Sequence, residues 1–260
     1  GRSTRDNDFI EYIYPATMHN TMMFFSQNGR CYWLRVYEIP EGARNNKGRA
    51  IQNMLNIDSN DKVNACLCIR KLQDPDFCKS HFVLFCTKQG IIKKTCLSEY
   101  SRPRANGVNA INIQEGDQVI GVELTNGHNE IVIANRNGRA IRFNETDVRP
   151  MGRVATGVTS MQLEGGDDEV VGMVTVNNPL KETIVVISEK GYGKRSLLND
   201  EEGNEIYRKT SRRAKGVKTL DITEKTGKLV TIRNVDDTED LMIINKSGVT
   251  IRMHVDEIRQ

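Results

Sequence analysis

A chain of 260 residues with 38% hydrophobic residues is long enough to bury a real core, as one large all-β domain or as two ordinary ones. Its net charge of +3 and charged fraction of 27% exclude any case for nucleic acid from bulk charge alone, so an electrostatic argument rests on where the charges sit. No run approaches the roughly 20 apolar residues that cross a bilayer, and the opening GRSTRDNDFIE is not a signal peptide, so a soluble cytoplasmic chain with no membrane partner is expected.

In chain order, DNDFIEYIYPATM from Asp6 reads as a single apolar strand. Thr21 then opens a unit of three phrases. The first is a hairpin, TMMFFSQNGRCYWLRVYEI; the second is a polar, Arg-bearing connection that ends in Gly and enters a third strand, ARNNKGRAIQNMLNI; the third is an acidic turn and a fourth strand, SNDKVNACLCI. The same phrases return from His81 as HFVLFCTKQGIIKKTCLSEY, SRPRANGVNAINI and EGDQVIGVEL. From Glu130 they are EIVIANRNGRAIRFNETDV, MGRVATGVTSMQL and GDDEVVGMVTV. From Glu182 they are ETIVVISEKGYGKRSLLND, TSRRAKGVKTLDI and, less faithfully, KTGKLVTIRNV. DLMIINKSGVTIRMHVDEI from Asp240 supplies one more hairpin.

Gly29, Gly90, Gly138, Gly191 and Gly248 mark the hairpin turns, and Gly48, Gly107, Gly157 and Gly216 end the connections. Complete repeats therefore cover about 21–70, 81–126, 130–176 and 182–235, with partial repeats at 1–20 and 240–260. Four strands per repeat with no useful helical period predict a single all-β, propeller-like domain, because such a unit buries its sheet faces only against neighbours. The terminal halves either combine across the closure point or belong to blades that are partly missing. Cys31, Cys66, Cys68, Cys78, Cys86 and Cys96 lie mostly in apolar strand-like runs without a CxxC pair, which predicts buried, reduced thiols.

Basic residues recur in one slot, the connection between second and third strands: Arg44, Lys47 and Arg49; Arg102 and Arg104; Arg149 and Arg153; Arg208, Lys209, Arg212, Arg213 and Lys215. Second-strand ends add Arg35, Lys93, Lys94, Arg142, Lys194, Arg195 and Arg252. Acids gather in the turn before the fourth strand, as Asp61, Glu115, Asp117, Glu164, Asp167 and Asp168. Stacked units set equivalent loops side by side, so this segregation predicts a basic face and an acidic face. A phosphate backbone suits a long basic band, since each neutralised phosphate releases counterions without base reading. Trp33, Phe24, Phe25, Phe82, Phe85 and Phe143 sit in strand patterns, so the band lacks the aromatic platform of a single-strand binder and duplex is favoured.

Chemistry is not indicated. His19, His81, His128 and His254 are scattered without ligand spacing, and GYGKRS at Gly191 follows a hairpin and lacks the GxxxxGK[ST] spacing of a phosphate loop. No catalytic residue, metal or bound cofactor is expected.

Beyond the residues themselves, LRVYEIPEGARNNKGRAIQNML, KKTCLSEYSRPRANGVNAI, EIVIANRNGRAIRF, GYGKRS and SRRAKGV together resemble the C-terminal domain of the bacterial DNA gyrase A subunit, over the span from Asp6 to Gln260. The resemblance implies a six-bladed β-pinwheel with strands exchanged between blades, whose basic rim binds, bends and wraps duplex DNA. It implies that DNA is presented for ATP-dependent strand passage and negative supercoiling, by a type II topoisomerase whose catalytic tyrosine, ATP and Mg2+ sites lie outside this chain. Partners implied are double-stranded DNA, the N-terminal catalytic core of the gyrase A subunit, together with the gyrase B subunit; the isolated domain is implied to be monomeric and nucleoid-associated. The family's hallmark Gln-Arg-Arg-Gly-Gly-Lys-Gly type box belongs just before GRSTRDNDFIEYI, and its echoes here are ARNNKG and SRRAKG. Alternatives are a propeller that docks a protein on its acidic turns, or the C-terminal domain of the topoisomerase IV A subunit.

Overall fold

The computed structural model describes residues 10–15, 21–35, 51–235, 240–245 and 250–254, with side chains over 21–35 and 53–235. Its strands are β1 (Ile10–Pro15), β2 (Thr21–Ser26), β3 (Arg30–Arg35), β4 (Val63–Ile69), β5 (Phe82–Thr87) and β6 (Ile91–Cys96). Then come β7 (Val108–Asn109), β8 (Val119–Thr125), β9 (Glu130–Asn135), β10 (Arg139–Asn144), β11 (Val158–Thr159) and β12 (Val170–Val176). The last are β13 (Thr183–Ser188), β14 (Gly193–Leu197), β15 (Val217–Lys218), β16 (Leu229–Val235), β17 (Asp240–Asn245) and β18 (Thr250–His254).

The hairpins form because β-branched and aromatic runs flank a turn with its own lock. Ser26 Oγ, Thr87 Oγ1, Asn135 Oδ1 and Ser188 Oγ each accept the backbone N–H four residues on, from Arg30, Ile91, Arg139 and Tyr192. A second lock comes from the acidic slot. Asp61 Oδ1 accepts Asn28 N–H, Asp117 Oδ1 accepts Gln89 N–H and Asp168 Oδ1 accepts Asn137 N–H, so each acid staples the hairpin turn of its own blade. In the fourth repeat Gly227 stands in that slot, and Lys190 N–H goes instead to the Thr226 carbonyl at 3.0 Å.

Strand order within the sheets is β4-β2-β3-β7, β8-β5-β6-β11, β12-β9-β10-β15 and β16-β13-β14. The third strands of the second, third and fourth repeats thus leave their own unit and pair with the second strand of the preceding one, as in Val108↔Cys31, Val158↔Ile92 and Val217↔Ala140, whereas the third strand expected in the first repeat is a 3-10 turn at Ile51–Met54. This exchange follows the pinwheel expectation. It is achieved by two-residue strands, shorter than the apolar run suggests. Fourth strands β4, β8, β12 and β16 pack against one another in sequence, which makes them the inner edge. The exchanged strands β7, β11 and β15 lie at the opposite, outer edge.

The terminal halves share a sheet, ordered β1-β17-β18. Six blades are implied by the resemblance; the described residues form five sheets, because the two partial repeats are complementary parts of one blade. A further difference is a short helix, α1 (Pro75–Ser80), between the first two repeats. Asp74 caps it by accepting the N–H groups of Asp76 and Phe77, and Pro75 occupies its first turn, a start signal legible in QDPDF. No helix among the described residues is long and apolar enough to cross a membrane.

In the first three repeats both faces of the hairpin strands are mostly covered, since one blade's sheet packs on the next, whereas β14 of the fourth is largely exposed. β2 is buried throughout, and Phe25 meets Phe85 of the next blade edge-on at 5.3 Å between ring centroids. Phe24, Phe25, Phe85 and Phe143 are fully buried and contribute roughly 2 kcal/mol each. Cys31, Cys66, Cys78 and Cys86 are buried, Cys68 and Cys96 partly so, and all are free thiols. Burial pushes the Cys31 thiol well up, with nearby Arg153 pulling the other way, as an inert core thiol requires.

Candidate nucleic-acid interface

The basic connections run from the second strand of one unit to the exchanged strand at its neighbour's outer edge, so they lie on the outside of the array. Each is tied to the unit before it. Asn56 Nδ2 donates to Asn106 Oδ1 at 3.1 Å, Asn112 N–H to the Ala155 carbonyl at 3.1 Å, and Gln162 N–H to the Ala214 carbonyl at 3.0 Å. Ala155 and Ala214 both stand two residues before the connection's glycine, and Asn106 one before it, so consecutive loops are held in register.

The glycine itself allows this docking. Gly216 has φ +84°, and a Cβ there would collide with the Ala140 carbonyl of the neighbouring strand. Arg139 Nη1 donates to the Gly216 carbonyl at 3.1 Å, and Arg30 Nη2 to the Asn106 carbonyl at 2.9 Å. These two arginines, missed from sequence, brace the loops from the second strand's first position; the GR pair after the hairpin turn was the available signal.

Most of the expected cations in the loops reach solvent. Arg102, Arg104, Arg149, Arg208, Arg213 and Lys215 are exposed and make no ion pair with any described residue, and Lys194 on β14 is likewise exposed. Arg153 and Arg212 are half-buried, with Arg212 Nη1 donating to the Thr159 carbonyl at 2.6 Å. Arg213 has φ +78°, an uncommon left-handed conformation for a residue with a side chain, and its N–H donates to the Ser160 carbonyl at 2.6 Å. Lys209 is exposed but engaged, 3.3 Å from Glu130 and 3.7 Å from Glu205. Arg195 is half-buried and its Nε donates to Thr183 Oγ1 at 2.7 Å. Arg44, Lys47 and Arg49, and the side chain of Arg252, lie outside the described residues.

Three expected members of the band are elsewhere. Lys93, Lys94 and Arg142 are 0%, 4% and 1% exposed, so they present no charge to a ligand. A place at the end of a second strand predicts solvent, but adjacent Lys93 and Lys94 point to opposite faces of β6 and both faces are covered. Lys94 Nζ lies 3.2 Å from Glu145, whose carboxylate also accepts Thr125 Oγ1 and Asn129 N–H at 2.7 Å each. Arg142 makes a paired contact with Glu130, Nε at 2.8 Å and Nη2 at 2.6 Å, while its Nη1 donates to Asn199 Oδ1 and the Tyr207 carbonyl. Lys93 Nζ donates to the carbonyls of Ala110 and Arg153 with no carboxylate partner, and burial, then the Arg153 charge, lowers its amine to about 7.

The acidic face is also reduced. Asp61 and Asp168 are buried in the hairpin staples, leaving Glu115, Glu164 and Asp167 exposed in this slot. Tyr100 and Tyr207, beside the basic loops, are buried, with Tyr100 Oη donating to the Ala110 carbonyl and Tyr207 Oη bonded to Thr219 Oγ1.

Comparison with known proteins agrees with this architecture. The family described as DNA gyrase C-terminal domain, beta-propeller, matches residues 20–70, 81–126, 129–177, 182–236 and 239–260. The DNA gyrase A subunit of Staphylococcus aureus strain NCTC 8325 / PS 47 is 38% identical over 100% of this chain, and that of strain COL equally so. The chain spans 28% of the length of these relatives. Among solved structures, a DNA gyrase A C-terminal domain superposes with a TM-score of 0.74 at 22% identity, covering 99% of this chain and 80% of that one. The C-terminal domain of a DNA topoisomerase IV gives 0.70 at 25% identity, covering 99% and 76%. With the family model matched over five segments from residue 20 to 260 and a gyrase A subunit 38% identical over the whole chain, the chain belongs to the DNA gyrase C-terminal domain family of β-propellers.

Proposed function

We propose that this chain binds duplex DNA along its outer basic loops and bends it, as the DNA-wrapping part of a gyrase A subunit. The observation that carries the reading is the band of exposed cations Arg102, Arg104, Arg149, Arg208, Arg213 and Lys215, which form no ion pair with a described residue and are held in register by bonds between successive repeats. Bending a duplex of 20–30 base pairs costs about 1–6 kcal/mol, and a rigid row of phosphate contacts offsets it. In this reading the chain does no bond chemistry and needs no cofactor of its own. It acts as a monomeric domain in the bacterial cytoplasm, associated with the nucleoid. It presents DNA to a catalytic core elsewhere in the gyrase A polypeptide, which works with the gyrase B polypeptide, ATP and Mg2+ to introduce negative supercoils. Docking of a protein on the acidic turns loses support, because Asp61 and Asp168 are engaged internally.

Duplex titration across a salt series tests the proposal. Log affinity is expected to fall linearly with log salt, at about 0.9 per phosphate contacted, and Arg208→Ala, Arg213→Ala and Lys215→Ala together to reduce the slope by about 3. Thermal stability is expected to stay within about 1 kcal/mol, since none of the three makes an ion pair with a described residue. Binding that ignores salt, or a triple variant with an unchanged slope, refutes it.

A further inference from the structure

Side-chain donors on successive second strands, half-buried at Trp33 and buried at Lys93 and Arg142, each reach the next blade's connection. Trp33 on β3 donates its Nε1–H to the Tyr100 carbonyl at 3.1 Å, directly before Ser101-Arg102-Pro103-Arg104. Lys93 on β6 donates to the Arg153 carbonyl at 2.7 Å, within the next unit's basic loop. Arg142 on β10 donates to the Tyr207 carbonyl at 3.0 Å, at the start of the loop after that. The backbones join in as well: Met151 N–H donates to the Lys94 carbonyl at 2.7 Å and Thr210 N–H to the Arg142 carbonyl at 2.8 Å. Three blades thus use three chemically different side chains to hold the next blade's connection, Trp33 and Arg142 from one strand position and Lys93 from the position before it, at different points along the loop.

A hydrophobic residue would pack at these positions without reaching a loop carbonyl. Lys93 shows this most plainly, because its ammonium sits against the Phe85 ring, 5.0 Å from the centroid, and is spent on two neutral carbonyls. Such burial is costly unless the donated bonds have a structural return. The return is the position of loop 149–157, which carries exposed Arg149 and half-buried Arg153.

We infer that Lys93 and Arg142 are positioning residues for the DNA-facing loops: they touch no DNA, and by bonding the carbonyls of Arg153 and Tyr207 they set where the exposed cations of the next blade stand. Trp33, at the strand position that Arg142 holds two blades later, bonds the Tyr100 carbonyl and so braces the connection of the second repeat. The inference rests on the duplex-binding reading for its consequence, but the bracket itself is independent of it.

Lys93→Met and Lys93→Gln separate the possibilities, read by hydrogen exchange of the loop amides from Met151 to Thr156 and by duplex titration from about 50 to 200 mM salt. Methionine fits the volume beside Phe85 without a donor, and glutamine restores an uncharged donor. In the Met variant, loop exchange is expected to rise about tenfold. The salt slope is expected to fall by about 2, the share of Arg149 and Arg153 at roughly 0.9 each. Glutamine is expected to move both readouts back toward the parent chain. Unchanged loop exchange in the Met variant overturns the inference, as does an equal loss of slope in both variants with the loop unmoved, which would mean that the Lys93 charge meets DNA directly. Arg142→Lys provides a second arm, expected to speed exchange at Lys209 and Thr210; protection equal to the parent overturns the bracket at that blade. Failure of the parent chain to bind duplex at low salt would sink the functional reading, while loop exchange still decides the bracket.

Discussion

Replacing Asp168 with Ala tests whether the acids of the fourth-strand turn are a surface or a staple. The Asp168 carboxylate is 6% exposed and accepts four bonds: Asn137 N–H at 3.3 Å and Glu169 N–H at 3.0 Å on Oδ1, Asn135 Nδ2 at 3.1 Å and Glu164 N–H at 2.9 Å on Oδ2. Bonds to a charged acceptor contribute about 1.5–3 kcal/mol each, but they are not additive and donors near the surface recover water. A loss of about 4 kcal/mol is therefore expected for Asp168→Ala, and about half of that for Asp168→Asn, which keeps one acceptor oxygen. Asp167→Ala is the control one residue away: its side chain is 68% exposed and 3.8 Å from Arg136, so the change should stay within about 0.5 kcal/mol. Urea unfolding with matched m-values reads all three. If Asp168→Ala and Asp167→Ala unfold alike, within about 1 kcal/mol of the parent, the staple argument is wrong and the acidic turns return as a candidate docking face.

Two groups, half-buried Glu123 and buried Lys93, should give stability opposite slopes on either side of neutrality. Burial, only partly countered by Arg233, raises the Glu123 carboxyl from 4.5 to about 7, so the folded chain holds the extra proton and stability falls as pH rises from 4.5 to 7. Lys93, lowered from 10.5 to about 7, makes the unfolded chain the better proton binder above 7, so stability rises from there to 10.5. Glu123→Gln is expected to flatten the acid limb by on the order of 3 kcal/mol and Lys93→Met the alkaline limb by on the order of 5 kcal/mol, in denaturant midpoints converted with m; a limb that persists in its own variant refutes that assignment. Gly138→Ala should cost more than about 2 kcal/mol in thermal unfolding, because φ is +86° and the new Cβ meets the Leu220 carbonyl and, at 2.9 Å, Ile222 Cγ1; a variant as stable as the parent would show that the turn relaxes freely.

The repeat, the hairpins and the loop slots were legible along the chain because they are local: an apolar run, a turn residue that can adopt positive φ, and an Arg-bearing connection ending in Gly recur in fixed order. Local pattern also carried the family, through SRRAKGV, GYGKRS and their echoes. The exposed loop cations Arg102, Arg104, Arg149, Arg208, Arg213 and Lys215 were legible for the same reason, since a loop's place outside the sheets follows from its polarity. The fate of Lys93, Lys94 and Arg142 depended instead on how blades pack in three dimensions. A period of two tells which residues share a sheet face but not whether water or another blade covers it, and here the next blade does. The same limit hid the split between Asp168 and Asp167, adjacent acids of which one accepts backbone N–H groups and the other stands in solvent. It also left open which of two alternatives holds for the terminal halves, and the pairing of β1 with β17 decides it by joining residues from opposite ends of the chain.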